Sequence, residues 1–174
     1  PGVNIAFGRI QFCDLEDNLL KGLDGYREGA ESGIWSETLI RPANQWFSGG
    51  FGVNNVIANV GGCIFKKQNL DSKIWEEAQT YKILGDWFLY SYIANGGLIA
   101  YEPRAVAYFR QHGLNTSVSS FTTAKYYEEH FSLMKSLKEM WSIPNKTIDK
   151  FYSKIEFQYR HFKCEEKLGK LEKY

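Results

Sequence analysis

The sequence lacks the features that mark several classes of protein. Its 174 residues carry 21 Lys and Arg against 20 Asp and Glu, so there is no strong basic field to attract a nucleic acid. The three cysteines, Cys13, Cys63 and Cys164, are far apart and form no Cys-x-x-Cys pair, so neither a zinc site nor a disulfide framework is indicated. No apolar run is long enough to span a bilayer. These absences predict a cytoplasmic protein with no nucleic-acid partner, and leave open a peripheral contact with the inner face of the membrane.

The composition that remains is that of a globular domain with a sizeable core. Hydrophobic residues make up 44% of the chain and aromatic residues 16%. Tyr and Trp fill cores and also stack on sugars, and composition alone does not choose between these roles. An apolar run at residues 3–10 directly follows Pro1 and Gly2, with no initiating methionine. We therefore expect the chain to be a piece of a longer protein.

Apolar periodicity predicts an α+β domain with few strands and with most of its helices late in the chain. Residues 3–12 alternate and predict a strand, and residues 14–18 predict a polar turn. Four glycines within residues 22–33 predict a loop, and residues 48–52 predict a flexible break. The other predicted elements are helices at 74–81, 86–94, 121–141 and 147–171, and two short strands, 98–101 and 105–109, separated by Pro103.

The most informative region is 59–121, where several short motifs follow one another. Residues 59–67 read NVGGCIFKK, residues 84–90 read LGDWFLY, and residues 96–103 read GGLIAYEP. The region closes with YFRQH at 108–112 and NTSV at 115–118. This succession resembles the second half of family 2 glycosyltransferases, especially the bacterial enzymes that build surface polysaccharides.

The resemblance implies an α/β fold, the second half of a glycosyltransferase A-type fold with a mixed sheet followed by C-terminal helices. Residues 1–120 would be the acceptor-side part of the transferase domain, and residues 121–174 a C-terminal helical extension. In this family the preceding half binds the nucleotide-sugar, and its Asp-x-Asp motif holds a divalent cation, Mg²⁺ or Mn²⁺. The sequence contains no counterpart of that half. We therefore expect the chain alone to bind no cation and to transfer no sugar.

The resemblance also assigns the central acidic residue. Asp86 matches the carboxylate that takes the proton from the acceptor hydroxyl when the sugar is transferred with inversion. The alternative is a plain helix N-cap, for which aspartate is a preferred residue. Trp87 would stack on a sugar ring or else fill the core. Asn59, Gly61 and Gly62 match a segment beneath the acceptor, where missing side chains leave room for substrate, although simple strand packing explains them equally well.

Two basic residues match the family's loop over the diphosphate. Arg110 would bind phosphate oxygens bidentately, and His112 would ligate a metal or donate to a phosphoryl oxygen. The expected partners are a nucleotide-sugar donor and a glycan or lipid-linked acceptor.

Other interpretations of the sequence remain open. The chain could be a non-catalytic carbohydrate-binding or scaffolding domain that shares these short motifs. A helical partner-binding module at residues 121–174 would explain the end of the chain but not the LGDW motif. The acidic turn at Asp14, Glu16 and Asp17 is expected to be solvated rather than to bind metal.

Overall fold

The computed structural model describes residues 2–67, 70–112, 115 and 119–165. Its centre is an open, mixed sheet of four strands in the order β2-β4-β1-β3. The long strands β1 and β4 run parallel, and the short edge strands β2 and β3 are antiparallel to their neighbours. The predicted mixed α/β class is confirmed at this level. The strands are β1 Val3–Cys13, β2 Leu39–Pro42, β3 Cys63–Phe65 and β4 Leu98–Arg110.

Helices account for most of the rest of the described chain. The last two helices of the described chain are long, as the periodicity predicted. Short 3-10 turns occur at Lys21–Asp24 and Val60–Gly62. The α-helices are α1 Gly25–Ala30, α2 Ala43–Ser48, α3 Gly50–Val53, α4 Ser72–Ala78, α5 Gly85–Ala94, α6 Ala124–Met140 and α7 Asn145–His161.

Strand β4 was predicted as two short strands but is a single one. It is continuous, and a wide bulge accommodates Pro103: Gly8 pairs with Glu102, while the next residue, Arg9, pairs with Val106. Proline has no N–H to contribute to a ladder, so it is tolerated where the strand leaves the register. The bulge closes tightly over β1, because a Cβ on Gly8 would lie 2.1 Å from the Ala105 carbonyl oxygen.

Two glycine-rich segments were predicted wrongly. The range 22–33 contains helix α1 rather than only a loop, because Arg27 and Ala30 bury one side of that segment. The range 48–52 is not a flexible break, since it leads into the buried helix α3. A Cβ on Gly52 would lie 2.2 Å from the Phe47 carbonyl oxygen. Glycine there permits close packing rather than flexibility.

The C-terminal helices share the hydrophobic core of the rest of the chain. Helix α6 buries residues at helical spacing on one face, and α7 packs on α3. The expected ranges 1–120 and 121–174 therefore contribute to one core. The predicted helix at 147–171 is seen as α7, which ends at His161, and residues 166–171 lie outside the described residues. Buried members of this core include Trp46, Phe51 and Trp87 from the first range and Leu133, Met134, Leu137, Phe151 and Ile155 from the second.

Helix α5 connects directly to β4 and runs antiparallel to it. Gly96, at a φ of 70°, reverses the chain after the helix, and the Asn4 side chain donates to the Asn95 carbonyl oxygen at 3.2 Å. The C-terminal end of α5 therefore lies at the start of β1 and β4. Its N-terminal end points along the sheet toward the carboxyl ends of these two strands.

Within the described residues, no helix combines the length and the apolar character needed to cross a membrane.

Candidate acid–base site at the start of helix α5

Asp86 lies in the first turn of α5 but does not cap it. The helix begins at Gly85, and the N-cap position belongs to Leu84, which makes no side-chain capping bond. The Asp86 carboxylate instead accepts a hydrogen bond from the Trp87 N–H at 2.7 Å, and it also accepts from its own N–H and from the Asn55 side chain. Asp86 is therefore not the N-cap residue, but its carboxylate binds N–H groups of the first turn, which have no partner within the helix. A local structural role stays compatible with a role as base.

Burial dominates the electrostatics of this carboxylate. It raises the pKa of Asp86 to about 6, and the hydrogen bonds from the Trp87 N–H and the Asn55 side chain only partly oppose the shift. A carboxyl group with this pKa is mostly ionised at neutral pH, yet it binds a proton far more readily than an ordinary aspartate. That combination suits a general base working near pH 7.

Two neutral side chains lie beside Asp86. Tyr90 is one helical turn further along α5, and the Cys63 thiol donates to its hydroxyl oxygen over 3.7 Å. Burial raises the pKa of Tyr90 and of Cys63, and the negative charge of Asp86 adds to both shifts. Thiol and phenol therefore keep their protons. Asp86 is the group in this cluster that ionises at neutral pH.

A shallow groove adjoins the cluster at the edge of the sheet. Its volume is about 370 Å³, and Asp86 does not line it. Cys63 borders the groove, and its thiol contacts Tyr90. The groove is bounded by small residues of β1, β4 and the segment before β3, including Ala6, Gly8, Gly61, Gly62 and Ala107.

The segment before β3 has a local structural role. The Asn59 side chain accepts from the Gly61 N–H at 2.7 Å and so caps the 3-10 turn Val60–Gly62. A Cβ on Gly62 would lie 2.3 Å from Ile10 Cδ1. The missing side chain at Gly62 is thus needed for packing against β1, whereas Gly61 is exposed at the groove.

Trp87 is packed in the core. Its side chain is fully buried, its indole N–H donates to the Phe51 carbonyl oxygen at 3.1 Å, and its ring contacts His130 and Phe151. It therefore fills the core, the second of the two roles that the sequence left open. We do not propose it as a sugar-stacking platform.

Arg110 and His112 lie at the carboxyl ends of β1 and β4. Cys63 pairs with Phe7, and Arg110 pairs with Cys13, so about 20 Å of strand separates the level of Cys63 from that of Arg110. The Arg110 guanidinium forms an exposed ion pair with Asp17, and the exposed His112 donates its backbone N–H to the Asn115 side chain. That this pair faces the same cleft as Asp86 stays a prediction.

The described residues offer no set of metal donors. In residues 2–67, 70–112, 115 and 119–165 no three His, Cys, Asp or Glu side chains are grouped so that they could hold a metal ion. That His112 ligates a metal stays a prediction.

Comparison with protein-family models, with curated proteins and with solved structures finds no match to this chain. The resemblance to family 2 glycosyltransferases rests on the motifs alone.

Three neighbours of Asp86 were not predicted as site residues. Tyr90 had a usable signal, because it is four residues after Asp86 and so lies on the same helix face. Asn55 and Cys63 had no such signal, since they come from the segment after α3 and from β3 and approach Asp86 only in the folded chain.

Proposed function

We propose that this chain is the acceptor-side part of an inverting family 2 glycosyltransferase, with Asp86 as its general base. The observation that carries the proposal is the Asp86 carboxylate itself. It lies at the start of the helix that bears the LGDW motif, and burial raises its pKa to about 6.

The chemistry is a single displacement. An acceptor hydroxyl attacks the anomeric carbon of the donor sugar and gives its proton to the Asp86 carboxylate. The bond from that carbon to the nucleoside diphosphate breaks, and the diphosphate leaves with the bonding electrons. The role of this chain is to hold the acceptor and to remove the proton, which contributes about 10²–10⁴-fold to a rate.

The local contacts favour this role over a structural one. A capping aspartate is normally exposed and strongly acidic, whereas Asp86 is partly buried and its ionised form is disfavoured. Perturbed carboxylates of this kind concentrate at functional sites. The Asn55 side chain donates to the carboxylate and accepts from the Ile57 N–H at 3.1 Å, which orients the Asn55 amide.

Arg110 and His112 are proposed for the diphosphate end of the donor. The ion pair of Arg110 with Asp17 is exposed, and such pairs contribute little free energy. A phosphate group can therefore displace Asp17 from Arg110 at small cost. The assignment of Asp86 does not depend on this pair.

The test is sugar transfer by the protein in its full natural length. The protein is incubated with a panel of nucleotide-sugars and with glycan and lipid-linked acceptors, and product is detected by mass spectrometry. We expect Asp86→Asn to lower the turnover of the accepted pair by about 100-fold or more. The matched control is Asp71→Asn, at the exposed N-cap of α4, where asparagine caps equally well.

Each outcome decides between the open interpretations. Transfer that depends on Asp86 and not on Asp71 supports the enzyme. Transfer that survives Asp86→Asn unchanged contradicts the base. Glycan binding without transfer would favour the non-catalytic carbohydrate-binding alternative.

A further inference from the structure

A second buried carboxylate binds the backbone that leads into α5. Glu129 on α6 is almost completely buried. Its Oε1 accepts from the Lys82 N–H at 2.8 Å, and its Oε2 accepts from the N–H groups of Ile83 at 2.8 Å and Leu84 at 3.1 Å. A carboxylate with three backbone donors is strongly held.

Glu129 and Asp86 bind successive N–H groups where the chain enters α5. Glu129 binds the donors of Ile83 and Leu84, and Asp86 binds its own donor and that of Trp87. The first N–H groups of a helix have no partner within the helix, and Leu84 provides no side-chain cap. Glu129 thus binds the N–H of the N-cap residue Leu84 from another helix, as the glutamate of a capping box does locally.

The contact joins two segments that are far apart in the sequence. Glu129 is 45 residues from Leu84 in sequence, and it belongs to the C-terminal part that the sequence assigned to a separate extension. A second bond joins the same two regions, between the Tyr81 hydroxyl and Ser132 Oγ at 3.3 Å. The segment 81–84 is therefore fixed on α6 just before Asp86.

We propose that Glu129 is the positioning residue of the Asp86 site: by binding the N–H groups before α5 it fixes where the helix begins and where the Asp86 carboxylate lies. The inference rests on the proposed function in that Asp86 is the group being positioned. It assigns helix α6 a part in the site rather than only in the core.

Two substitutions separate position from charge. Glu129→Asp keeps the negative charge but is one methylene shorter, so it cannot reach all three donors. Glu129→Gln loses the charge but keeps the length and one acceptor oxygen, which can still serve Ile83 and Leu84. If Glu129 acts by position, the aspartate variant is the more damaging; if it acts only by its charge, the glutamine variant is.

The readouts are amide hydrogen exchange at residues 82–84 and the carboxyl titration of Asp86, both followed by NMR. In Glu129→Asp we expect exchange at Ile83 and Leu84 to quicken by about tenfold or more. We also expect the pKa of Asp86 to fall from about 6 toward its usual value, because a frayed helix start admits water. Glu129→Gln should stay closer to the wild type. Glu139→Asp, at an exposed position of the same helix, is the control.

Several results would overturn the inference. One is a lowered melting temperature in Glu129→Asp with unchanged exchange and unchanged titration of Asp86, which would make Glu129 merely structural. Another is a larger shift in Glu129→Gln than in Glu129→Asp. If the variants do not fold, fast exchange at Ile83 and Leu84 in the wild type would be equally decisive against it. None of these readouts needs sugar transfer, so a failure of the proposed function is recognised separately.

Discussion

Replacing Asp86 with asparagine removes a carboxyl group whose ionisation the fold opposes. Burial raises its pKa from 3.8 to about 6, so the folded protein holds this proton more tightly than the unfolded chain. Below pH 3.8 the group is protonated in both states, and the tighter binding of this proton by the folded state contributes fully to stability. Between pH 3.8 and about 6 the unfolded chain releases the proton first, so stability falls as pH rises.

The size of the effect follows from the shift. Each pKa unit corresponds to 1.36 kcal/mol, so ionisation of Asp86 costs the folded state at most about 3 kcal/mol above pH 6. Partial exposure of the residue lowers this figure by solvent screening. Asparagine has one oxygen where the carboxylate has two, and a lost hydrogen bond costs about 1 kcal/mol at every pH. Between pH 4 and pH 8 the stability of the variant should therefore rise relative to that of the wild type by up to about 2 kcal/mol. The hydrogen-bond loss adds a constant offset that does not change with pH.

The assay is urea unfolding followed by tryptophan fluorescence at a series of pH values. The quantity to plot is the free energy of unfolding of Asp86→Asn minus that of the wild type. Asp71→Asn is measured in parallel as the exposed control. A difference for Asp86→Asn that does not change with pH, or that changes equally in the control, would refute the account of its pKa.

Two further predictions concern the packing around the site. Gly85→Ala should destabilise the protein by about 1 to 3 kcal/mol, because the new Cβ would lie 2.8 Å from the Ala78 carbonyl oxygen. The control is Gly29→Ala, whose new Cβ would meet nothing within 4 Å. Equal melting temperatures for the two variants would contradict the close approach at Gly85. Trp87→Phe removes the indole bond to the Phe51 carbonyl oxygen and leaves a cavity, so it should lower the free energy of unfolding by about 2 to 4 kcal/mol. If Trp87→Phe kept full stability but bound glycan more weakly, Trp87 would be a substrate-binding residue rather than a core residue.

Local signals in the sequence predicted the regular elements but not the approach of distant segments. Strand β1 and helix α5 were predicted within a residue or so, because alternation and helical spacing are local properties. The segment that contains the buried α3 was predicted to be a flexible break. Its three glycines give the same sequence signal whether they make the backbone flexible or allow close packing. Its packing depends on α7, which lies about 100 residues later.

The candidate site shows the same limit. Asp86 was found through its motif, and it was predicted at the start of the helix, one residue from where the helix begins in the structure. Its environment was not predictable, because Asn55, Cys63 and Glu129 come from three other parts of the chain. The pKa of Asp86 is set by that burial, so no local pattern could have predicted it.

The pH dependence of kcat/KM tests the central claim most directly. It is measured with the protein in its full natural length and an accepted donor–acceptor pair, since this parameter reports groups in the free enzyme. We expect activity to rise with pH through an apparent pKa near 6, matching the NMR titration of Asp86, and the residual activity of Asp86→Asn to lack this rise. A profile that keeps the same rise in Asp86→Asn would contradict Asp86 as the general base.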